Sequence, residues 1–236
     1  MGTPVPRVPG HRGFLVGTLL LFAFVCSALL APWLAPADPL HVPTGLAAAS
    51  LLPPGASHAL GTDVLGRELL SRVLYGGRVS LAVGVGVELI VALIGTLIGL
   101  LAGYYGGWLD SLLMRVTDVV MAFPSLILAI GLIAVFETPG LDKVFLVLVL
   151  LGWTTIARVV RGEVLSQRSR DYVQAARALG VGDASIIFRH LLPNCLAPIL
   201  VAATIGVGGN MVAEAGLSFL GLGAQAPTIS WGSMLA

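Results

Sequence analysis

Val79-Ser-Leu-Ala-Val-Gly-Val-Gly-Val-Glu-Leu-Ile-Val-Ala-Leu-Ile-Gly-Thr-Leu-Ile-Gly-Leu-Leu-Ala-Gly-Tyr104 carries one charge, Glu88, between Arg78 on one side and Asp110 on the other. A helix of about 20 apolar residues is enough to cross the ~30 Å hydrocarbon layer of a bilayer. An isolated strand could not satisfy its backbone groups there, so the run is predicted to be a membrane-spanning helix. The rest of the chain has the same character. Its 236 residues are 57% hydrophobic and 11% charged, with a mean hydropathy of +0.97. A soluble domain carries about 25% charged residues, so this chain lacks the polar groups to cover a water-facing surface. A net charge of +1 excludes nucleic acid as a partner, which would need clustered lysine and arginine.

Charges punctuate four further spans. Residues 14–34 form an uncharged run after Arg7 and Arg12. It is longer than a signal-peptide core and ends in Pro-rich sequence, so it is read as a retained first helix. Asp118 and Glu137 bracket a third span, Lys143 and Arg158 a fourth, and Arg189 and Glu214 a fifth beginning near Pro198. The alternation of a membrane barrel is absent, since residues 144–151 are apolar on every face. The fold class is therefore all-α, a polytopic transmembrane helix bundle. Its parts are a cytoplasmic tail at 1–13, the first helix at 14–34, an outer connecting segment at 35–78 and a membrane core at 79–236. Five spans with Arg7 and Arg12 inside put nine basic residues on the cytoplasmic side. Four remain outside: Arg67, Arg72, Arg78 and Lys143. Lysine and arginine favour the cytoplasmic side, so the N-terminus is placed there, although three arginines in the first outer segment dilute the bias.

One inner segment, residues 162–195, is long and polar. Loops between the helices of a bundle usually run two to eight residues, so a stretch of about thirty suggests a docking surface. It reads as two short helices, at 169–179 and 183–191, around Gly180-Val-Gly182. Gly180 suits a helix C-terminal cap, Asp183 can cap the second helix, and Pro193 ends it. Val173, Ala176, Leu179, Ile186 and Ile187 are mixed with both signs of charge, which favours a protein partner over a lipid surface.

The same residues carry a family resemblance. Asp171-Tyr-Val-Gln-Ala-Ala-Arg-Ala-Leu-Gly180 and His190-Leu-Leu-Pro-Asn194 resemble the cytoplasmic EAA loop of binding-protein-dependent ABC importer permeases. Gln174 stands in place of the leading Glu, and His190 in place of Ile. The residues around Gly61, Ser71, Gly103, Glu214 and Trp231 are similar to further blocks of the dipeptide/oligopeptide/nickel branch, on its C-type permease subunit. That resemblance implies a bundle of the ABC importer permease type, in the plasma (inner) membrane of a prokaryote. Five spans are present, and a sixth, which the branch places beyond the Ser230-Trp-Gly-Ser-Met-Leu235 block, is missing at Ala236; a truncated C-terminus is expected. It also implies the partners: a second, B-type permease subunit, two cytoplasmic ATPase subunits and an extracytoplasmic solute-binding protein, all around a subunit embedded in membrane lipid. Cargo would be di- or oligopeptides, or alternatively nickel or another peptide-like solute.

Under the resemblance, the segment from Gln174 to Pro193 sits in a groove on an ATPase. Gly180 is its elbow, and Ala175 and Ala176 allow close approach. Arg177, Asp183 and Arg189 are available for polar contacts, with His190, Leu192 and Pro193 closing the motif. No cofactor is expected in this chain, because the phosphate-cradling Gly-x4-Gly-Lys-[Ser/Thr] pattern is missing; ATP and Mg would be bound by the ATPases. No catalytic residue is assigned. Gly95, Gly99 and Gly103 line one helix face, a ridge suited to close packing in lipid. Glu88 is a candidate for the translocation pathway, with structural pairing equally open. Asp118 and Glu214, nearer span ends, suit structural hydrogen bonding. His11, His41, His58 and His190 are too scattered for a metal site, and Cys26 and Cys195 read as small apolar residues. A secondary transporter would favour inverted repeats and coupled midplane carboxylates, and only Glu88 lies well inside a span. A membrane scaffold would leave the loop without purpose.

Overall fold

The computed structural model describes residues 10–44 and 50–236, with the side chains of Gly10 and His11 left aside. Arg7, and the tail up to residue 9, lie outside the described residues. The chain divides into two compact units, Met1–Val79 and Ser80–Ala236. Among the described residues the regular secondary structure is helical, with one isolated bridge, Thr62 to Glu68.

The first unit opens with α1 (Gly10–Leu29) and the short α2 (Ala31–Leu34). The run expected as one helix over 14–34 is thus broken at Leu30, because Pro32 has no N–H to continue the ladder. Irregular chain follows and folds around Asp63. The Asp63 carboxylate accepts the amides of Leu65 and Arg67 at 2.9 Å each, and Arg67 Nε at 2.7 Å. Arg72 Nε lies 3.3 Å from the same carboxylate, and Arg78 stands 5.8 Å from the Tyr75 ring centroid. All three arginines that dilute the charge bias therefore have local partners. Burial raises the Asp63 pKa, but its Arg67 and Leu65 hydrogen bonds outweigh that and hold it below the ordinary carboxylate range. His58 Nδ1 pairs with Glu68, whose side chain is buried.

Within the second unit, α3 (Leu69–Tyr105) contributes its residues from Ser80 onward. After it come α4 (Gly107–Met121), α5 (Ser125–Ile133) and α6 (Leu141–Gln167). Along α3, Gly86, Gly95, Gly99 and Gly103 approach Phe145, Trp153–Ile156, Ala157–Arg161 and Arg161–Val164 of α6 in that order. The two helices therefore run parallel, and the chain between them must cross back.

That return is made by α4 and α5, bent 84° to one another. The third span expected between Asp118 and Glu137 is instead this broken pair, beginning at Gly107, eleven residues before Asp118. Pro124 causes the break by pushing the residue before it out of the helical region. At the other end, α3 turns into α4 through Gly106 and Gly107, both at positive φ. Asp110, which read as a loop charge, and Asp118, expected near a span end in structural hydrogen bonding, both sit on α4 and pair with α6. Arg161 Nε and Nη2 donate to Asp110 at 2.5 and 2.6 Å, and Arg158 Nη2 to Asp118 at 2.6 Å.

Beyond α6 come α7 (Asp171–Ala178), α8 (Asp183–Ser185), a π-helical turn (Ile186–Leu191) and α9 (Leu192–Phe219). From Asp183 to Phe219 these last three form one 37-residue helical rod. Pro193 does not end a helix and Pro198 does not begin one; both lie inside the rod. Pro193 is in the first turn of α9, where its missing donor costs little. The π register preceding it absorbs the phase change, and Asn194 Nδ2 donates to the His190 carbonyl at 2.6 Å. Finally α10 (Trp231–Leu235) starts from Ser230, whose side chain caps the Ser233 amide. Glu214, fully buried, accepts Ser80 Oγ at 3.1 Å and Ser218 Oγ at 2.7 Å. Those two hydroxyls accept the amides of Trp231 and Ala224, so one carboxylate holds both ends of the 220–231 segment through relays. The core of this unit is aliphatic: Val87, Leu100, Val147, Val160, Ile186, Leu191 and Leu217 are among its buried members.

Candidate functional site

Two regions of the second unit combine the singled-out residues. The first is the polar segment 162–195. Its middle is narrower than its sequence suggests, because α6 continues to Gln167 and α9 begins at Leu192. Its inward face is apolar: Val173, Ala176, Ile186, Ile187 and Leu191 are buried. Gln174, Ala175, Arg177, Gly180, Asp183, Arg189 and Pro193 are exposed, and His190 and Leu192 are half-buried. Ala175 thus presents itself outward while Ala176 belongs to the core.

Gly180 takes φ +76°, and the Val181 amide reaches back to the Ala176 carbonyl at 3.0 Å while its own reaches Arg177 at 2.9 Å. This is the paired-bond ending of a helix that a left-handed glycine makes possible. Nothing lies within 4 Å of where a Gly180 side chain would begin. The elbow therefore stands open to a partner. Leu179 beside it is 83% exposed, and Phe188 on the π-helical turn 51%.

Asp183 does not cap the second helix; Gly182 occupies the cap position, and Asp183 is the first residue inside. Its carboxylate instead accepts the hydroxyl of Tyr104 at 2.6 Å. Arg177 lies over the ring of the same tyrosine, 5.1 Å from its centroid. Arg168 Nη1 donates to the Gly103 carbonyl at 3.0 Å. The end of α3 is therefore tied to α6, α7 and α8 at once. Tyr172 makes a second tie. Its hydroxyl donates to Gln167 at 3.1 Å and accepts from Asn194 at 3.5 Å. Burial pushes the Tyr172 phenol above its ordinary pKa, which keeps it a donor.

The second region is a cavity of about 530 Å³ bounded by α3, the α4–α5 break, α6 and α9. Its walls are mostly apolar, with Met121, Phe123 and Leu151 among them, and Glu88 and Asn210 among its polar members. Gly95, Gly99 and Gly103 lie elsewhere, on the α3–α6 seam. A Cβ at Gly99 would come 2.6 Å from Val160 Cβ and 2.7 Å from the Ala157 carbonyl.

Comparison with known proteins bears on both regions. The family model for the binding-protein-dependent transport system inner membrane component matches residues 95–236, which include the whole polar segment. The chain belongs to that family. Permease relatives agree along almost its full length. A putative peptide transport system permease protein of Brucella abortus is 45% identical over 98% of this chain and 76% of its own. The dipeptide transport system permease protein DppC of Alkalihalophilus pseudofirmus is 40% identical, over 94% and 72% respectively. The glutathione transport system permease protein GsiD of Escherichia coli is also 40% identical over the same shares.

Among its described residues, the permease has four helices long and apolar enough to cross a membrane, and up to five spans when the bent pair α4 and α5 counts as one. Among its described residues, no group of three His, Cys, Asp or Glu is placed to hold a metal ion. Sequence reading missed Tyr104, Arg168 and Asn210. Each works through a partner more than 60 residues away, and only the Tyr104 pair at the end of an apolar run gave any local signal.

Proposed function

We propose that this permease forms the translocation pathway for di- and oligopeptides in a prokaryotic inner membrane and carries out no catalysis itself. ATP is bound with Mg and hydrolysed by two cytoplasmic ATPase subunits. A second, B-type permease subunit completes the pathway, and an extracytoplasmic solute-binding protein delivers the cargo. The observation that carries this reading is the exposed elbow at Gly180, mounted between two helices that are tied to α3 and continuous with α9. A surface built this way converts a push from outside into motion of membrane helices. Gln174, Ala175, Arg177 and Arg189 would meet the ATPase, with Leu179 and Phe188 as apolar anchors. The names of the relatives, which specify peptide, dipeptide and glutathione, support peptide as cargo. A cytoplasmic N-terminus is supported by the pairing of Arg67 and Arg72 with Asp63, which lets an outer segment carry arginines at reduced cost.

Two measurements test this. Proteoliposomes holding the complete complex should take up labelled tripeptide with ATP inside and remain indifferent to ionophores. Uptake driven by a proton or sodium gradient without the ATPases would overturn the reading. Gly180→Asp, at a position with open space around it, should abolish co-purification of the ATPases. Their retention on a variant deleted for residues 174–194 would remove the docking assignment.

A further inference from the structure

We propose that Glu88 and Asn210 form an ammonium-binding site inside the membrane cavity, taking the charged amino group of a peptide as it passes. This rests on the transport reading above and names the chemistry that one point of the pathway selects.

Glu88 is 5% exposed and lies well inside a span. Its Oε2 accepts Nδ2 of Asn210 at 2.8 Å. Among the described residues no lysine, arginine or histidine pairs with it, and its side-chain hydrogen bond comes from a neutral amide. The helix opposite is shaped around that carboxylate. A Cβ at Gly206 would come within 2.3 to 2.5 Å of its carbon and both oxygens. Both Glu88 and Asn210 line the cavity of about 530 Å³, a size suited to a small ligand.

Glu214 supplies the contrast within the same unit. It is buried more completely, but two hydroxyls close on its two oxygens and it lines no part of the cavity. Burial alone therefore does not create a site; an incompletely satisfied carboxylate on a cavity wall does. An intramembrane carboxyl group of this kind marks a functional site and faces a pathway. Among the described residues this protein supplies no cation for it, which leaves the site open to one carried by the cargo.

The donor set selects the class of cation. A primary ammonium needs three acceptors, and Glu88 offers two oxygens. Asn210, having given its amide N–H to Glu88, keeps its carbonyl oxygen as the third. Calcium would need six to eight oxygens, which the site lacks. The amino end of a peptide and a lysine side chain carry the same group.

The test uses the complete complex in nanodiscs. Glu88 is labelled with dicyclohexylcarbodiimide and the modified peptide quantified by mass spectrometry. Hexylammonium and triglycine should protect Glu88 at concentrations about tenfold lower than hexanol and N-acetyltriglycine, the ratio of a charge-assisted hydrogen bond kept or lost. Protection by N-acetyllysine amide extends the site to lysine side chains, while its failure restricts the site to the peptide amino end. Equal protection by hexylammonium and hexanol, or by neither, overturns the proposal. In uptake assays Glu88→Gln, which preserves shape and the Asn210 contact, should weaken hexylammonium inhibition about tenfold and leave inhibition by hexanol unchanged. Loss of ATP-dependent uptake by the unmodified complex would refute the transport reading and leave the labelling result standing on its own.

Discussion

Tyr104 holds two neighbours with one side chain: its ring lies beneath Arg177 and its hydroxyl reaches Asp183. Tyr104→Phe keeps the ring and removes the hydrogen bond, leaving the Asp183 carboxylate to water. A hydrogen bond to a charged group is worth about 1.5–3 kcal/mol, so the α3–α8 tie should loosen without unfolding the core. The expected outcome is ATPase activity near normal with peptide uptake reduced about ten- to a hundredfold, the ratio that energy corresponds to. Both are measured on the same proteoliposomes, and a parallel fall in the two would mean that the complex has simply dissociated. Sequence pattern identified Gly180, because a left-handed turn between two polar helices has few other solutions. It misassigned Asp183 as a cap, since its partner lies 79 residues away. The same distance hid the arginine partners of Asp110 and Asp118, 51 and 40 residues away on α6, although structural hydrogen bonding was expected of Asp118.

At the scale of elements, the α3–α6 seam is set by backbone proximity more than by side-chain fit. Gly99→Ala would place a methyl against Val160 and the Ala157 carbonyl, a backbone atom that cannot rotate aside. Overpacking of this kind costs about 1–3 kcal/mol, so the detergent-solubilised protein should melt several degrees lower. Gly131→Ala, inside α5 where nothing lies within 4 Å, is the control and should melt no lower than the parent. The period-four spacing of these glycines was readable in advance; the identity of the facing helix was not. Helix existence was likewise legible from apolar runs, whereas helix ends were not. The Asp183–Phe219 rod passes through two prolines that local rules treat as boundaries. A π turn is a tertiary compromise, and no short sequence pattern announces it.

For the whole molecule, composition alone established the membrane as solvent, and charge placement gave the order of spans except where charges were neutralised across helices. The segment folded around Asp63 is sensitive to acid. The folded Asp63 pKa lies below its unfolded value, so its stabilisation is complete above pH ~4 and fades as pH falls through the folded pKa. Asp63→Asn should therefore lower the melting temperature at pH 7, and the gap from the parent protein should close in scans taken below pH ~4. The rod that begins at Asp183 has a purely geometric consequence. At 37 residues it is about 55 Å long, at 1.5 Å of rise for each residue. A tilt of about 10° at its Asp183 end would swing the Phe219 end by about 10 Å, simple trigonometry on that length. The length of this helix therefore turns a small reorientation at one end into a large displacement at the other.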